Sequence, residues 1–470
     1  MNKLLSLALT STLLATSATS AATTDKCHDH FNPACYDAAN VIEREVAIIG
    51  GGSSGTFAAI TLKDMGKSLV VVEKQDRLGG HVLTYTDPAS GTHINYGVRL
   101  FENTTTTFHF FSRLNVSMVP FTIGGPGPAY VDFTTGKKLE GFTPSRNFSA
   151  YMSLLDKYPY LVAGNGFQLP TPVPEDLSMA FGNYIKKYNL QDVAYSIWAD
   201  PSLGDVGDLF TLPAAYVLKA LSKIVLTQVS TPGKTLTSPT GNNHEAWTNA
   251  QAELGSNVLL SSTVVDAKRP AKGGCIRVVV QTPTGRKLIK ASRILFTAAE
   301  SLDNLRPFAL DKTEKAVFSQ LEYTGFYSGL ISGSGLSDTA GLQNAATASE
   351  GYHIPQVPNA MHFYPTGVPG LQSFWYESKT PQSDDQVKGA LVATIGRLTK
   401  SSTANIKFVT FANHSPGILY APAKQIQAGF WNQMNALQGY RGMYYTGLLF
   451  EPSSAGIWEF TLKLINKWYS

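Results

Sequence analysis

The chain has 470 residues, of which 43% are hydrophobic, 15% charged and 11% aromatic, with 41 Gly and 25 Pro. That length exceeds one simple core and predicts about two to four domains. The low charged fraction with ordinary Gly and Pro usage excludes a charge-driven disordered chain, a collagen and a disulfide scaffold. A net charge of +4, from 38 Lys+Arg against 34 Asp+Glu, comes with no block of like charges and does not point to a nucleic acid as partner.

Residues 1–21, MNKLLSLALTSTLLATSATSA, carry Lys3, an apolar stretch from Leu4 to Leu14 and the small residues Thr19, Ser20 and Ala21. This is the three-part layout of a secretory signal peptide. The stretch is too short and too rich in Ser and Thr to cross ~30 Å of hydrocarbon, and no other segment reaches ~18 consecutive apolar residues. A chain without a membrane span, in the secretory pathway or outside the cell, is therefore expected. Residues 22–42 form an extension holding Cys27 and Cys35 in CHDHFNPAC. A disulfide is favoured over a metal site using His28 and His30, because metal spacing takes tighter cysteine pairs and a second ligand pair. Such a loop would restrict the unfolded chain by about 2–3 kcal/mol. Four sequons, at Asn103, Asn115, Asn147 and Asn413, are N-glycan acceptors and so mark exposed loops; Pro416 after the last makes it the poorest. Cys275 is left over in CIRVVV and reads as a buried strand residue.

Residues 43–81 carry the strongest motif. Val46 to Ile49 form a short apolar run, as in a strand buried on both faces. It enters Gly50-Gly51-Gly52-Ser53-Ser54-Gly55, which satisfies GxGxxG. Ala58, Leu62 and Met65 then recur at helical spacing, Gly66 ends the helix, and Leu69 to Val72 form a second strand ending at Glu73. Gly50 permits a tight turn, Gly52 lets backbone approach a pyrophosphate, and Gly55 lets helix pack on strand, while the helix N-terminus beginning at Ser54 supplies N–H donors. Glu73 is placed to accept hydrogen bonds from a ribose diol and to repel a 2′-phosphate. Strand, helix, second strand and acid in register make a dinucleotide site.

Arg77-Leu78-Gly79-Gly80-His81 follows the acid. VVEKQDRLGGH resembles the flavin-containing amine oxidase superfamily, whose second glycine pair and arginine line the FAD pyrophosphate and the edge of the flavin. The resemblance implies FAD as cofactor. It also implies an α/β fold, with a Rossmann-like FAD-binding domain of glutathione reductase/amine oxidase type interleaved with an α+β substrate domain. On that pattern FAD-binding segments cover 43–100, 236–300 and 431–470, and substrate-domain segments 101–235 and 301–430. His244 to Leu254 reads as a helix and Asn257 to Asp266 as a strand whose backbone near Val264 would meet the adenine. Cys275–Thr282 and Arg286–Lys290 read as a hairpin about Pro283-Thr284-Gly285, with a separate buried strand from Ile294. At the end of the chain Gly447 would pass close to the pyrophosphate, and the helix starting near Gly456 would point at the flavin. The stretches Asn359–Tyr364 and Gln372–Tyr376 read as strands of the substrate domain, and their aromatic residues serve either a plain core or a chamber for a hydrophobic substrate.

Two departures argue against a plain monoamine oxidase. Leu321–Leu330 lacks the lysine that many amine oxidases place beside the flavin, and Phe450-Glu-Pro-Ser-Ser lacks the cysteine that some bond to FAD. RLGGHVLTYTDPASGTHINYGVRLF and YYTG…SAGIWEF are closer to the fungal beta-cyclopiazonate dehydrogenase-like FAD-dependent oxidoreductases. That likeness implies an oxidase or dehydrogenase acting on a secondary-metabolite intermediate. In it Asn95 to Arg99, Gly97 and Val98 included, approach the flavin ring. Arg99 then becomes the candidate catalytic residue, stabilising a reduced flavin anion or a substrate oxygen, with a surface salt bridge as the competing reading. His81 is either a proton carrier or a turn histidine. A redox-neutral double-bond isomerase and a non-enzymatic flavin-fold carrier share the fold; the signal and the intact GxGxxG weigh against the carrier.

Overall fold

A computed structural model describes residues 29–122, 127–200, 206–271, 273–348, 351–400 and 405–469. The expected signal peptide and Cys27 lie outside these residues. Val41–Ile49 and Leu69–Val72 lie side by side as parallel strands, Val46 opposite Leu69 and Ile49 opposite Val72. Val46 and Ile48 enter one core with Phe57, Ala58 and Leu62, while Ala47 and Ile49 enter another on the opposite face. Burial on both faces explains why the run shows no polar alternation. Each large side chain so covered contributes roughly 1.5–3 kcal/mol.

The helix Ser53–Asp64 joins the two strands. It ends as its glycine predicts: Gly66 turns at φ +71°, its N–H bonds to the Lys63 carbonyl, and the Lys67 N–H bonds to that of Leu62, which closes a Schellman cap.

A seven-stranded sheet grows from this pair, in the order Val258–Leu259, Leu69–Val72, Val41–Ile49, Gly285–Phe296, Ile276–Thr282, Thr263–Lys268. Met443–Tyr445 joins it beside Gly285–Phe296. The expected hairpin arm at 286–290 and the strand from Ile294 are thus one strand. Its residues Leu288 to Phe296 run parallel to Val41–Ile49, so the backbone has a partner throughout and no reason to break. Its first half also pairs antiparallel with Ile276–Thr282 and its last three residues pair parallel with Met443–Tyr445. Conversely, the single strand expected over 257–266 is two. Ser261 at φ +48° diverts the chain, and the Ser261 and Ser262 amides bond to the carbonyls of Gln75 and Glu73. Cys275 is corrected as well: it is exposed and free, because Gly273 and Gly274, both at positive φ, delay the strand until Ile276.

A second seven-stranded sheet takes the order Lys407–Asn413, Gly325–Ser332, Leu371–Ser378, Asn359–Pro365, Leu342–Asn344, Ala129–Asp132, Lys137–Lys138. One face is covered by the helix Asp384–Thr399, whose Val387, Leu391 and Ile395 pack on Phe363, Phe374 and Tyr376. The other face carries His362, Tyr364, Trp375 and Phe326. Helices between 149 and 229 share one core with Ile49, Val72, Phe296 and Tyr445 of the first sheet. Inside that core Lys219 donates to the carbonyls of Val162 (2.7 Å) and Gly166 (3.0 Å) and to Glu451 (2.8 Å). These three acceptors use every proton of its ammonium.

Candidate functional site

The first glycine motif, the second glycine motif and the last helix meet at one place. Gly50 turns at φ +110°, and a Cβ on Gly55 would overlap the Gly50 carbonyl oxygen, so helix and strand pack as closely as backbones allow. A Cβ on Gly52 would instead meet only Gly80 Cα, at 3.9 Å. The helix begins there with no side-chain cap and no acid in its first turn. The amides around Ser53, Ser54 and Gly55 are therefore open to an external acceptor. The helix Ser454–Tyr469 starts against the same point. Ser53 and Ser454 hydroxyls are 3.3 Å apart, and Trp458 Nε1 donates to the Ser53 carbonyl at 3.2 Å. Gly447, at φ +143°, completes the ring, since a Cβ there would lie 3.8 Å from Ser54 Oγ. Gly456 lies in the first turn of the last helix, beside Glu451. Two helix N-termini, each worth about half a positive charge, thus converge, an arrangement that suits an anionic group.

Glu73 is buried, and both carboxylate oxygens are engaged by backbone: Oε2 accepts from Gly51 N–H at 2.6 Å and Oε1 from Gln75 N–H at 2.8 Å. Each oxygen keeps a lone pair for a ribose hydroxyl. Val264 lies opposite Val280 two residues past Ser262, whose amide bonds to the Glu73 carbonyl, so its strand is tied to Glu73. A Cβ on Gly80 would come within 2.9 Å of Gly52 Cα, and one on Gly79 within 2.8 Å of the His244 ring. The second glycine pair is therefore flush against the first. Arg77 donates to the Leu78 carbonyl at 3.2 Å and has no carboxylate partner among the described residues. Gly97 packs on the His81 carbonyl, which accepts from Val98 N–H at 3.1 Å. Sequence reasoning missed Asn243. Its amide donates to the carbonyls of Val98 (3.1 Å) and Arg99 (3.0 Å) and so fixes that segment. These features fit FAD: uncapped helix amides for its pyrophosphate, a buried carboxylate for its ribose, and glycine backbones that leave room beside both.

From His81 a line of rings crosses to the second sheet. His81 is surrounded by protein, and burial, reinforced by Lys74 and Arg77, lowers its imidazole pKa to about 4. Its side chain nevertheless remains exposed, so it borders an internal space. His81 meets His414 edge-on at 4.3 Å, and His414 stacks on Phe326 at 5.4 Å. Phe326 meets Trp375 at 5.5 Å, Trp375 meets His362 at 4.9 Å, and His362 stacks on Tyr364 at 4.2 Å. Ser328 holds His414 through its Nε2 at 2.8 Å. Within Leu371–Ser378, only Trp375 keeps accessible surface, and Phe326 does so between the buried Gly325 and Tyr327. The wall therefore faces open space. These residues come from five separated segments; the sequence marks the strands holding His362, Tyr364 and Trp375 but not their meeting with His81, Phe326 and His414.

Arg99 follows Val98, whose N–H bonds to the His81 carbonyl. Its charge acts on Tyr364 and His362, and burial lowers its pKa. Among the described residues its guanidinium makes no hydrogen bond or ion pair, so the surface salt bridge is not found. The four sequon asparagines, Asn103, Asn115, Asn147 and Asn413, are all exposed. No helix among the described residues is long and apolar enough to cross a membrane, and those residues hold no cluster suited to a metal ion. A surface depression of about 590 Å³ lined by Leu302, Arg306, Leu310 and Lys315 shares no residue with the site.

Comparison with known proteins agrees with this architecture. Residues 48–114 match the NAD(P)-binding Rossmann-like domain family. The FAD-dependent oxidoreductase dbaF of Emericella nidulans is 39% identical over 440 residues, covering 92% of each chain. Beta-cyclopiazonate dehydrogenase of Aspergillus oryzae is 31% identical over 444 residues, covering 92% of this chain and 94% of its own. Among solved structures, a CLA-producing fatty acid isomerase from P. acnes aligns with a TM-score of 0.71 at 15% identity, over 91% of this chain and 99% of its own. Putrescine oxidase aligns at 0.62 and 15%, over 92% and 100%. At that identity the two structures establish the fold alone.

Proposed function

The chain belongs to the FAD-dependent oxidoreductases that include beta-cyclopiazonate dehydrogenase, and from that premise we propose that it is a secreted enzyme oxidising a hydrophobic small molecule, an intermediate of secondary-metabolite biosynthesis. The observation that carries the substrate class is the aromatic wall from His81 to Tyr364. It begins beside the flavin-lining glycines and presents rings, with partly accessible surface, to an interior space. Apolar walls with a few placed polar groups are the usual form of a small-molecule site.

The Gly50–Gly55 turn with Ser54, the Gly79-Gly80 pair, Arg77, Gly97, Val98, Val264, Gly447 and Gly456 would hold FAD, with Glu73 on its ribose. When bound, the isoalloxazine supplies two-electron redox chemistry. The chain's own task is to orient the substrate along the wall, exclude water and handle a proton. His81, neutral near pH 7 and without a hydrogen-bond partner among the described residues, is the group placed to accept one. His414, held by Ser328, sets its ring. The interleaved segments 43–100, 236–300 and 431–470 are taken as the FAD-binding domain and the remainder as the substrate domain. Secretion is supported by the N-terminal sequence and four exposed sequons. A Cys27–Cys35 bridge is supported by Cys35 standing as a half-cystine while Cys275 is free.

Purified protein should show oxidised-flavin absorbance that is bleached anaerobically by its substrate without nicotinamide, with product two mass units lighter. Product of unchanged mass would make it a double-bond isomerase. Colourless protein that FAD cannot reconstitute would remove the flavin reading altogether.

A further inference from the structure

The polypeptide that leaves the first sheet after Phe296 folds back on itself and opens a groove to solvent. Leu302–Leu305 is a short helix, Arg306–Phe308 a single 3-10 turn, and Lys312–Phe318 a second helix capped by Asp311. Between the two helices Ala309 turns at φ +47°, a conformation that a residue with a side chain keeps only when its surroundings impose it. They do so here. Arg269 donates to the Phe308 carbonyl at 2.7 Å and Arg441 to the Ala309 carbonyl at 3.0 Å. Both guanidinium groups also hold the buried Glu314 of the second helix, at 2.6 and 3.0 Å. Phe308 meets Phe296 edge-on at 5.5 Å. The bend is thus fixed from below by buried partners.

The groove above it has a volume of about 590 Å³, within the roughly 300–1,000 Å³ of small-molecule sites. Its apolar surface comes from Leu302, Ala309, Leu310 and Ala316, and Leu302 is 44% exposed. Arg306, Lys312 and Lys315 add three cations, and no acidic residue lines it among those described. Arg306 is paired with Asp303. The Lys312 and Lys315 ammonium groups make no ion pair or hydrogen bond among the described residues. The nearby Asp311 is engaged elsewhere: one oxygen accepts from Glu314 N–H at 3.0 Å and the other from the Tyr440 hydroxyl at 2.7 Å. Helix stability does not account for Lys312, which is the first helical residue, where the dipole disfavours a cation. Lys312, Lys315, Ala316 and Ser319 recur at i, i+3, i+4 and i+7, so both charges and the small side chains share the helix face that lines the groove.

We propose that this groove is a second small-molecule site, for an amphipathic anion: a carboxylate carried on an acyl chain. The carboxylate lies between Lys312 and Lys315, and the chain runs over Leu302, Ala309, Leu310 and Ala316. Charge complementarity selects an anion, since the lining offers unpaired cations and no acid. The small number of those cations selects a free molecule, because attraction to a lipid surface takes clusters of about four to eight basic residues. The site shares no residue with the flavin cradle or the aromatic wall, so it stands apart from the chamber and from whatever is oxidised there.

The test is isothermal titration calorimetry on the FAD-loaded enzyme with decanoate, decanamide and octanoate, at low and at high salt. At low salt decanoate should bind about threefold or more tightly than decanamide, a preference that salt removes because the lysines are exposed. Decanoate should also bind about tenfold more tightly than octanoate, through two further buried methylenes. Lys312→Gln with Lys315→Gln should abolish the preference for the acid and keep binding of the amide. Ala316→Phe, which fills the groove, should weaken both probes by about tenfold. All three positions are exposed, so the melting temperatures should stay at the wild-type value. Equal binding of acid and amide by the wild type overturns the proposal, as does the absence of any binding. A preference that survives both the lysine substitutions and Ala316→Phe places the acid elsewhere in the molecule and also overturns it. Vesicles of equal parts phosphatidylcholine and phosphatidylglycerol provide the last arm: sedimentation with them that needs both lysines, without binding of monomeric decanoate, would make the groove a membrane contact and overturn the free-acid reading.

Discussion

On one side of the molecule Lys219 gives its three protons to Val162, Gly166 and Glu451, with both charged side chains only 1% exposed. Arg99 differs: its guanidinium makes no hydrogen bond or ion pair among the described residues, and its side chain keeps partial exposure. Glu300, just past the strand Gly285–Phe296, is a third case: it is 1% exposed, its Oε1 lacks a partner, and burial raises its pKa to about 8. The three outcomes separate buried charge by purpose. The Lys219–Glu451 pair ties the helix Ala214–Ala220 to the loop before the last helix, although Glu451 Oε2 has no hydrogen-bond partner. A carboxyl with no partner becomes neutral. An arginine cannot lose its proton and stays charged, with part of its surface accessible.

The comparison is broken most forcefully at Lys219. Lys219→Met leaves the Glu451 carboxylate buried and unpaired and should cost about 3–5 kcal/mol in urea denaturation, most of it recovered in Lys219→Met with Glu451→Leu. Glu300 comes next. Its folded pKa of about 8 lies above the ordinary 4.5, so the folded state binds the extra proton and stability falls as pH rises from about 4.5 to 8. Glu300→Gln should therefore stabilise by on the order of 3 kcal/mol at pH 8 and leave the protein near wild type at pH 4. Glu73 sharpens the case of the paired acid. In Glu73→Gln an amide NH2 must face either the Gly51 or the Gln75 N–H, and FAD should dissociate about tenfold more readily, read by flavin fluorescence release. The smallest effect belongs to His81. Its folded pKa of about 4 lies below the unfolded value of 6.5, so stability is complete above pH 6.5 and lost as pH falls toward 4. His81→Gln should flatten that acid slope by about 1 kcal/mol, a figure reduced because the side chain is exposed to the chamber.

The nucleotide unit was readable because its signals are local. The run Val46–Ile49, the glycines, the helix period and Glu73 all lie within one βαβ stretch, and each feature has its own physical reason to be there. The pairing of Val41–Ile49 with Leu288–Phe296 is not local, and for that reason the length of the latter strand was misjudged. Cys275 was misplaced because alternation in CIRVVV outweighed the two glycines ahead of it. Arg99 and the glycines around it entered through resemblance to a family. That Arg99 has no counter-charge among the described residues is a statement about groups it does not touch and has no sequence signature. Lys219 and His414 have no sequence signature for the same reason, since each acts through partners contributed by distant segments.

The placement of Val41–Ile49 also has a consequence in time. Its neighbour on one side, Gly285–Phe296, leaves the ribosome about 250 residues later, a delay of roughly 12–50 s at 5–20 residues per second. The last strand, Met443–Tyr445, emerges later still. Throughout that interval the emerging polypeptide carries an apolar strand with an unpaired edge, which is a template for association with other chains. Biogenesis of this enzyme should therefore depend on chaperones that guard its first hundred residues until its last thirty arrive.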